Sequence, residues 1–437
     1  MTILVENLDY VVDKKLNVYK NVDILIKKEY ENENENITKI IIGKNLVKKE
    51  NLNKNDLKII NGKNKCAMPG LTNTHTHIPM TLLRGIADDM ILQNWLNEKI
   101  WPNEAKLTEE DVYYGSLLGC LEMLRFGITS FNEMYFFSEE IMNATKQIGL
   151  KGVIGFPIID FGTPESKDLN KLLKMAENFI KKHKNEKIVK PAIAPHAPYT
   201  CSKETYIKCK EIADEYNILL HTHISETRYE VVEMENNIKM RPVEYLENIG
   251  VLDSNVIGAH LVWITKDEVK KLARHNVKVS HCPGSNMKLA SGGVMPLVEM
   301  LNEGVNVSIG TDGPASNNNL DILEEMKITA LLHKAHRWDP TVGDVDTVLN
   351  MVFNSEILGF ENNDIVLLDI NSPHLRPVNN IKSNIVYSAN GNDVDTVIVN
   401  GEVLLKNKKF IFGDKFLNDV YKKIDKIIKE KFNIGEN

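Results

Sequence analysis

"MPGLTNTHTH", Met68–His77, is a strand-length run that starts apolar and closes on two histidines one residue apart. Residues two apart on a strand point to the same side, so His75 and His77 share a face. Seven further runs have the same form: "GITSFNEM", "KGVIGFPIID", "IVKPAIAPH", "ILLHTHISE", "NVIGAHLVW", "NVKVSHCP" and "NVSIGTDG". Helical patterns lie between them, among them "LTEEDVYYGSLLGCLEMLRF", "SKDLNKLLKMAENFIKKH" and "TKDEVKKLARHN". Eight strands alternating with helices predict a parallel (β/α)8 barrel of the TIM type.

The polar residues collect where these strands end. His75 and His77, His196, His221 and His223 with Glu226, His260, His281 and Asp312 each close a strand. In such a barrel the strand ends meet on one face, where chemistry is done. Neutral imidazoles with one carboxylate suit Zn²⁺ or Fe²⁺. His75, His77, His223 and Asp312, from strands one, five and eight, would hold one metal and leave a position for water. Glu226, three residues after His223, reads either as a helix-start carboxylate or as a proton shuttle beside that water. His260 is expected in the active site and His196 in contact with substrate. His281 is open between a packed and an active-site role. His221 is expected as a hydrogen-bonded core histidine. His183, His275, His333, His336 and His374 fall in helical or loop patterns and are expected at the surface.

Two absences narrow the site. Two-metal barrel hydrolases usually carry a bridging lysine at the end of strand four. Here that end carries His196, and Lys190 lies at the strand's start, so one metal is expected. The other zinc-deaminase pattern, His-x-Glu followed by Pro-Cys-x-x-Cys, does not occur in the sequence.

The two ends of the chain read differently. "TILVENLDYVV", "NVDILIKK", "ITKIIIG" and "LKIING" are β-branched runs, with "YENENENITK" as a solvated hairpin tip. At the other end come "DIVLLDI", "NIVYSAN" and "VDTVIVNGEVLLKN", the last a hairpin around Asn400-Gly401. These predict one small β-sandwich domain built from residues 1–66 and 365–437, with the barrel over 67–364. The chain has 437 residues, 43 % hydrophobic and 26 % charged, which is a soluble globular composition. A net charge of -7 argues against nucleic acid as a partner. Five scattered cysteines suit a reducing, cytoplasmic setting. No apolar run reaches membrane-spanning length, and no secretory leader is visible.

Joint motifs narrow the reading further. "MPGLTNTHTHIPMTLLRGIADDMILQNWL", "IWPNEAKLTEED", "APHAPYTCS", "HTHISET", "GAHLVW", "SHCPGSNMKLASGG" and "GTDGPASNNNLDILEEM" together resemble the amidohydrolase superfamily. More narrowly they are similar to 5'-methylthioadenosine/S-adenosylhomocysteine deaminases, and most to the group with 5'-deoxyadenosine deaminase. The resemblance implies zinc held by His75, His77, His223 and Asp312, and Glu226 as general acid/base. It implies His260 and Asp312 orienting or deprotonating the metal water. It implies Glu104, in "WPNEAKL", and His196 holding the nucleoside, with Glu104 on ribose hydroxyls. The implied reaction replaces the 6-amino group of an adenine nucleoside by oxygen and releases ammonia, recycling by-products of S-adenosylmethionine. A homo-oligomer, tetramer or dimer, is implied too. Other single-metal amidohydrolase activities remain as alternatives: guanine or cytosine deamination, or triazine dechlorination. A zinc-binding scaffold without activity is a further alternative.

Two features depart from the family pattern. Some relatives have arginines between strands two and four that can hold the carboxylate of S-adenosylhomocysteine. This sequence has no arginine from Phe126 to Thr227; lysines such as Lys151 are the substitutes to consider. Relatives also carry an Ala/Gly-rich helix before the last strands, where "DTVLNMVFNSEILGFENNDIVLLD" runs almost directly on.

Overall fold

The computed structural model describes residues 2–32 and 35–432. Five strands come first: β1 Thr2–Val12, β2 Val18–Asn32, β3 Glu35–Gly43, β4 Leu57–Asn61 and β5 Lys65–Pro69. β2 and β3 pair antiparallel. They form the expected hairpin, whose tip residues Glu33 and Asn34 lie outside the described residues.

Eight parallel strands follow: β6 Leu71–Thr76, β7 Ile128–Met134, β8 Lys151–Ile158, β9 Val189–Pro195, β10 Leu220–Ile224, β11 Val256–His260, β12 Lys278–His281 and β13 Asn306–Ile309. They pair in sequence order from β6 to β13. A parallel bridge between Thr76 and Asp312 links the first strand to the segment after the last. At that seam the Asp312 N–H donates to the His75 carbonyl at 3.0 Å. Ser280 and Ser308 each hydrogen-bond to Thr74 inside the barrel at 2.7 Å, so the barrel has a satisfied polar layer under the site.

Helices cover the outside because their apolar residues recur at three- and four-residue steps. In Leu169–His183 the buried set is Leu172, Ala176, Phe179, Ile180 and His183. His183 was expected at the surface. It closes this buried stripe instead, with its Nε2 3.0 Å from the Glu139 carboxylate. Thr108 and Thr265 start their helices with capping boxes to Asp111 and Glu268.

Four strands at the end of the chain return to the first sheet: β14 Ile365–Asp369, β15 Val394–Val399, β16 Glu402–Lys406 and β17 Lys409–Phe410. The sheet runs β17-β16-β15-β14-β5-β1-β2-β3, with β4 also paired to β1. It folds over one apolar cluster that includes Ile3, Ile24, Ile60, Leu367 and Ile398. Its distant strands then meet, as Lys28 of β2 pairs with Glu402 of β16 at 2.6 Å. One continuous mixed sheet thus wraps its own core, with contributions from both chain ends. The boundary expected after Cys66 falls inside β5. Gly70 follows β5 as the joint to the barrel, where a Cβ would lie 2.1 Å from Thr129 Oγ1.

Two expectations at this end need correction. "NIVYSAN" lies mostly in a helix, Ile381–Tyr387, not a strand. Asn380 caps it, and Ile381 and Ile385 are buried one turn apart, a helical spacing that the β-branched composition obscured. The long helix Gly413–Phe432 was not anticipated. It packs back on Glu109–Arg125, with Lys423 2.6 Å from Glu110. The stretch around Asp346 forms the helix Val345–Val352, and its Val348, Leu349 and Val352 are buried.

Candidate active site

β6 carries His75 and His77 to the barrel mouth, β10 delivers His223, and the loop after β13 delivers Asp312. Each imidazole is held by its Nδ1. The Nδ1–H of His223 donates to the His196 carbonyl at 2.7 Å, and that of His77 donates to the Met134 carbonyl. A carbonyl only accepts, so both rings carry a proton on Nδ1 and turn Nε2 toward the cluster. His75 Nδ1 lies 2.9 Å from His221 Nε2. His221 is therefore the packed, hydrogen-bonded core residue expected, and it buttresses His75.

The Nε2 atoms converge. His77 Nε2 is 3.2 Å, and His75 Nε2 3.3 Å, from Asp312 Oδ1. His223 Nε2 is 3.4 Å from His77 Nε2. His75 Nε2 is wholly buried and has no aligned hydrogen-bond partner. A buried, orphaned ring nitrogen facing two more ring nitrogens and a carboxylate is what a metal ion satisfies. Candidate ligand atoms of His75, His77 and His223 lie within 4.8 Å of one another, as do those of His75, His260 and Asp312. Both groups share His75, so they describe one position, and the donor set fits a single divalent ion.

The carboxylate is aimed as firmly as the rings. Asp312 Oδ2 accepts from Ser285 Oγ at 2.6 Å and from Ser316 Oγ at 2.9 Å, which leaves Oδ1 for the cluster. Asp312 has φ 59° and His260 φ 74°, left-handed values that non-glycine residues adopt where the surroundings enforce them. His260 Nδ1 lies 3.0 Å from Asn286 Nδ2, and its Nε2 3.8 Å from Glu226 Oε2.

Burial separates the protonation states. It pushes His75 and His196 down to about 3, and His223 well below its ordinary value, so these rings are neutral. For His77 burial acts downward too, but the hydrogen bond and charge of Asp312 outweigh it and raise the ring to about 9. Burial pushes Glu226 up to about 8 and Glu104 up to about 7.

The cluster opens into a cleft at the barrel mouth. Its walls are largely apolar, with Trp95, Trp101, Phe136 and Ile159. His77, His196, His223, His260, Glu104, Glu226 and Asp312 all reach it, while His75 sits a layer deeper. The structure therefore brings together the expected ligands His75, His77, His223 and Asp312 with Glu226, His260, Glu104 and His196. His281 does not line the cleft: its Nε2 packs 3.2 Å from that of His333. His333, expected at the surface, is fully buried there because it faces the barrel from Ile322–Arg337. Lys151 is no candidate for a substrate tail. It starts β8 at the opposite end of the barrel, 2.9 Å from Asp364.

Sequence reasoning passed over Ser285, Ser316 and Asn286. Ser285 and Asn286 follow His281 in "HCPGSNM", and Ser316 follows Asp312 in "TDGPAS". Small polar residues just beyond a strand end were the available signal.

A barrel whose strand ends aim three imidazoles and a carboxylate at one point has the architecture of a metal-dependent hydrolase. Residues 66–354 match the amidohydrolase family. A 5-methylthioadenosine/S-adenosylhomocysteine deaminase from Thermodesulfovibrio yellowstonii is 47 % identical over 361 residues, 80 % of this chain and 82 % of that protein. A 5'-deoxyadenosine deaminase from Methanosphaera stadtmanae is 47 % identical over 359 residues, 79 % of this chain and 84 % of that one. The crystal structure of a zinc-bound adenosine deaminase from Xanthomonas campestris superposes with a TM-score of 0.90 at 30 % identity, covering 98 % of each chain. The chain belongs to the amidohydrolase family, alongside these deaminases, and is a hydrolase of carbon–nitrogen bonds in cyclic amidines.

Proposed function

We propose that the protein deaminates adenine nucleosides hydrolytically, releasing ammonia and the inosine-type product. Its substrates would be 5'-deoxyadenosine, 5'-methylthioadenosine and S-adenosylhomocysteine, with adenosine a further candidate, as by-products of S-adenosylmethionine chemistry. The observation that carries this reading is the buried Glu226 carboxyl beside the converging His75, His77, His223 and Asp312, inside a largely apolar cleft. The names of the relatives supply the substrate class.

One zinc ion per chain is the proposed cofactor, held by His75, His77, His223 and Asp312. The orphaned His75 Nε2 and the two Nδ1-protonated rings favour it, as does the zinc in the Xanthomonas campestris relative. When bound, the metal supplies the Lewis acidity that makes water a nucleophile near neutral pH. In this reading Asp312 Oδ1 takes the proton of the attacking water, and His260, whose Nδ1 accepts from the Asn286 amide, orients that water through its Nε2–H. Glu226, held protonated near neutral pH by burial, donates to N1 of the purine as the C6 centre is attacked. Glu226, left as a carboxylate, then relays the proton taken from the water to the departing amine, so that one water is consumed and ammonia leaves. Glu104 accepts from the ribose hydroxyls, and His196, neutral, contacts the nucleoside.

The barrel over 67–364 would carry this chemistry, with 1–66 and 365–437 as its companion domain. A homo-oligomer in the cytoplasm is the proposed setting. Among the described residues no helix is long and apolar enough to cross a membrane. The test is ammonia release from adenosine, 5'-deoxyadenosine, 5'-methylthioadenosine and S-adenosylhomocysteine by the metal-loaded protein. Bound metal with no release from any of them would replace this reading with a non-catalytic scaffold.

A further inference from the structure

We infer that Glu230 is the positioning residue that aims the Glu226 carboxyl into the cleft. This rests on the role proposed for Glu226.

The helix Arg228–Ile238 begins with Thr227 as its N-cap, and the Thr227 hydroxyl accepts from the Glu230 N–H at 3.2 Å. Thr-x-x-Glu at a helix start normally closes a capping box, with the glutamate returning to the N-cap N–H. Thr108 does this with Asp111, and Thr265 with Glu268, each at 2.8 Å. Glu230 behaves differently. Its carboxylate reaches past the cap and accepts from two amides ahead of it, Ser225 N–H at 2.9 Å and Glu226 N–H at 2.8 Å.

Those two amides form the turn that presents Glu226. β10 ends at Ile224, and Ser225 then turns the chain with φ 51°, a left-handed value that a serine keeps only under restraint. The turn is also tied to the neighbouring strand end, where Trp263 N–H donates to the Ser225 carbonyl at 2.9 Å. The Glu226 side chain has no hydrogen bond of its own among the described residues; the His260 ring stands 3.8 Å away, beyond hydrogen-bond reach. Its direction is therefore set through its backbone. Glu230 is buried, so its two bonds are not exchanged with water, and losing them would leave two buried N–H groups unpaired. The turn would relax and move the proton donor relative to the purine. A misplacement of about 1 Å can cost about 10²-fold in rate.

The test uses the metal-loaded full chain, with 5'-deoxyadenosine and 5'-methylthioadenosine as probes. Glu230→Gln keeps one acceptor oxygen and Glu230→Ala keeps none. The expected order of kcat is wild type, then Glu230→Gln, then Glu230→Ala, with a loss of about tenfold to a hundredfold. KM and bound metal should stay within about twofold of wild type. Asp111→Asn, in an ordinary capping box, should leave kcat unchanged and so controls for loss of a cap. The decisive measurement is Glu230→Gln placed on Glu226→Gln. If Glu230 acts through Glu226, the double variant should be no slower than Glu226→Gln alone. An additive loss there would overturn the inference, as would unchanged kcat in both Glu230 variants. A loss explained wholly by lost metal or an unfolded protein in Glu230→Gln would also overturn it. Normal turnover in Glu226→Gln alone would instead remove the proton-donor reading on which the inference stands.

Discussion

His77 Nε2 lies 3.2 Å from Asp312 Oδ1, across the seam where the first barrel strand meets the segment after the last. The proposed metal ligands are thus complete only when the barrel closes. Metal uptake and closure should be coupled, because an ion that binds only the folded chain stabilises it. Purified protein should hold about one metal equivalent per chain, and His223→Ala should lower it. Chelation should lower the unfolding temperature of wild type, and more than that of His223→Ala. Two tightly held metals per chain would contradict the single-ion site.

Glu226→Gln keeps the shape of the side chain but cannot donate a carboxyl proton. Because Glu226 is not among the proposed ligands, the variant should retain its metal. Its turnover should fall by about 10²- to 10⁴-fold. Metal content and ammonia release on the same preparation check both halves. Near-normal turnover would take Glu226 out of the mechanism.

The barrel and the proposed ligands were legible because one strand-end pattern repeats. Each run closes on a His, Glu or Asp, and parallel pairing brings those ends together. The outer supports were less legible. Ser285 and Ser316 bind Asp312 only after the chain has turned beyond β12 and β13, so no strand periodicity marks them. His183 and His333 show the opposite limit. A lone histidine on an amphipathic helix reads as polar, but it sits inside when its partner, the Glu139 carboxylate or His281, comes from a distant element. Ile381–Tyr387 misled for a third reason: its β-branched residues favour a strand locally, and tertiary burial of Ile381 and Ile385 overrides that.

Burial raises Glu104 to about 7, so it is mostly protonated below neutral pH and ionised above it. In the role proposed for Glu104, the ionised form would accept from both ribose hydroxyls and the protonated form would have lost part of that capacity. KM for nucleosides should therefore rise as pH falls from about 8 to about 6. Glu104→Gln should raise KM throughout and flatten this dependence. An unchanged slope in that variant would assign the titration to another group.

Lys151 and Asp364 form a buried ion pair at 2.9 Å that ties the base of β8 to the segment entering β14. Lys151 Nζ also donates to Asn363 Oδ1 at 2.6 Å, and Asp364 accepts from Asn400 N–H at 2.8 Å. Removing the cation alone leaves a carboxylate buried without its charge partner. Lys151→Met should cost about 3 kcal/mol, and Lys151→Met with Asp364→Asn should recover most of it. Urea midpoints on metal-loaded protein measure both. Equal destabilisation in the single and double variants would show that lost packing, not the unpaired charge, is responsible.

The cleft should discriminate among nucleosides by what they carry at the 5' position. Its walls offer Trp95, Trp101, Phe136 and Ile159, and its ionisable carboxyls are Glu104, Glu226 and Asp312. The adjoining outer chamber adds Glu230 and Glu233 and no lysine or arginine. A substrate carboxylate placed there would lose hydration without gaining a cation, whereas a 5'-methyl or methylthio group would lose nothing polar. Lys151, the substitute suggested by the sequence, is committed to Asp364 at the far end of the barrel. 5'-Deoxyadenosine and 5'-methylthioadenosine should therefore show higher kcat/KM than S-adenosylhomocysteine, measured side by side at one pH and salt concentration. The nearest challenge comes from Arg228, exposed two residues beyond Glu226, with its guanidinium 5.9 Å from the Trp263 ring. Preference for S-adenosylhomocysteine by tenfold, about 1.4 kcal/mol, would sink the prediction. Loss of that preference in Arg228→Ala would then identify the cation that holds the tail.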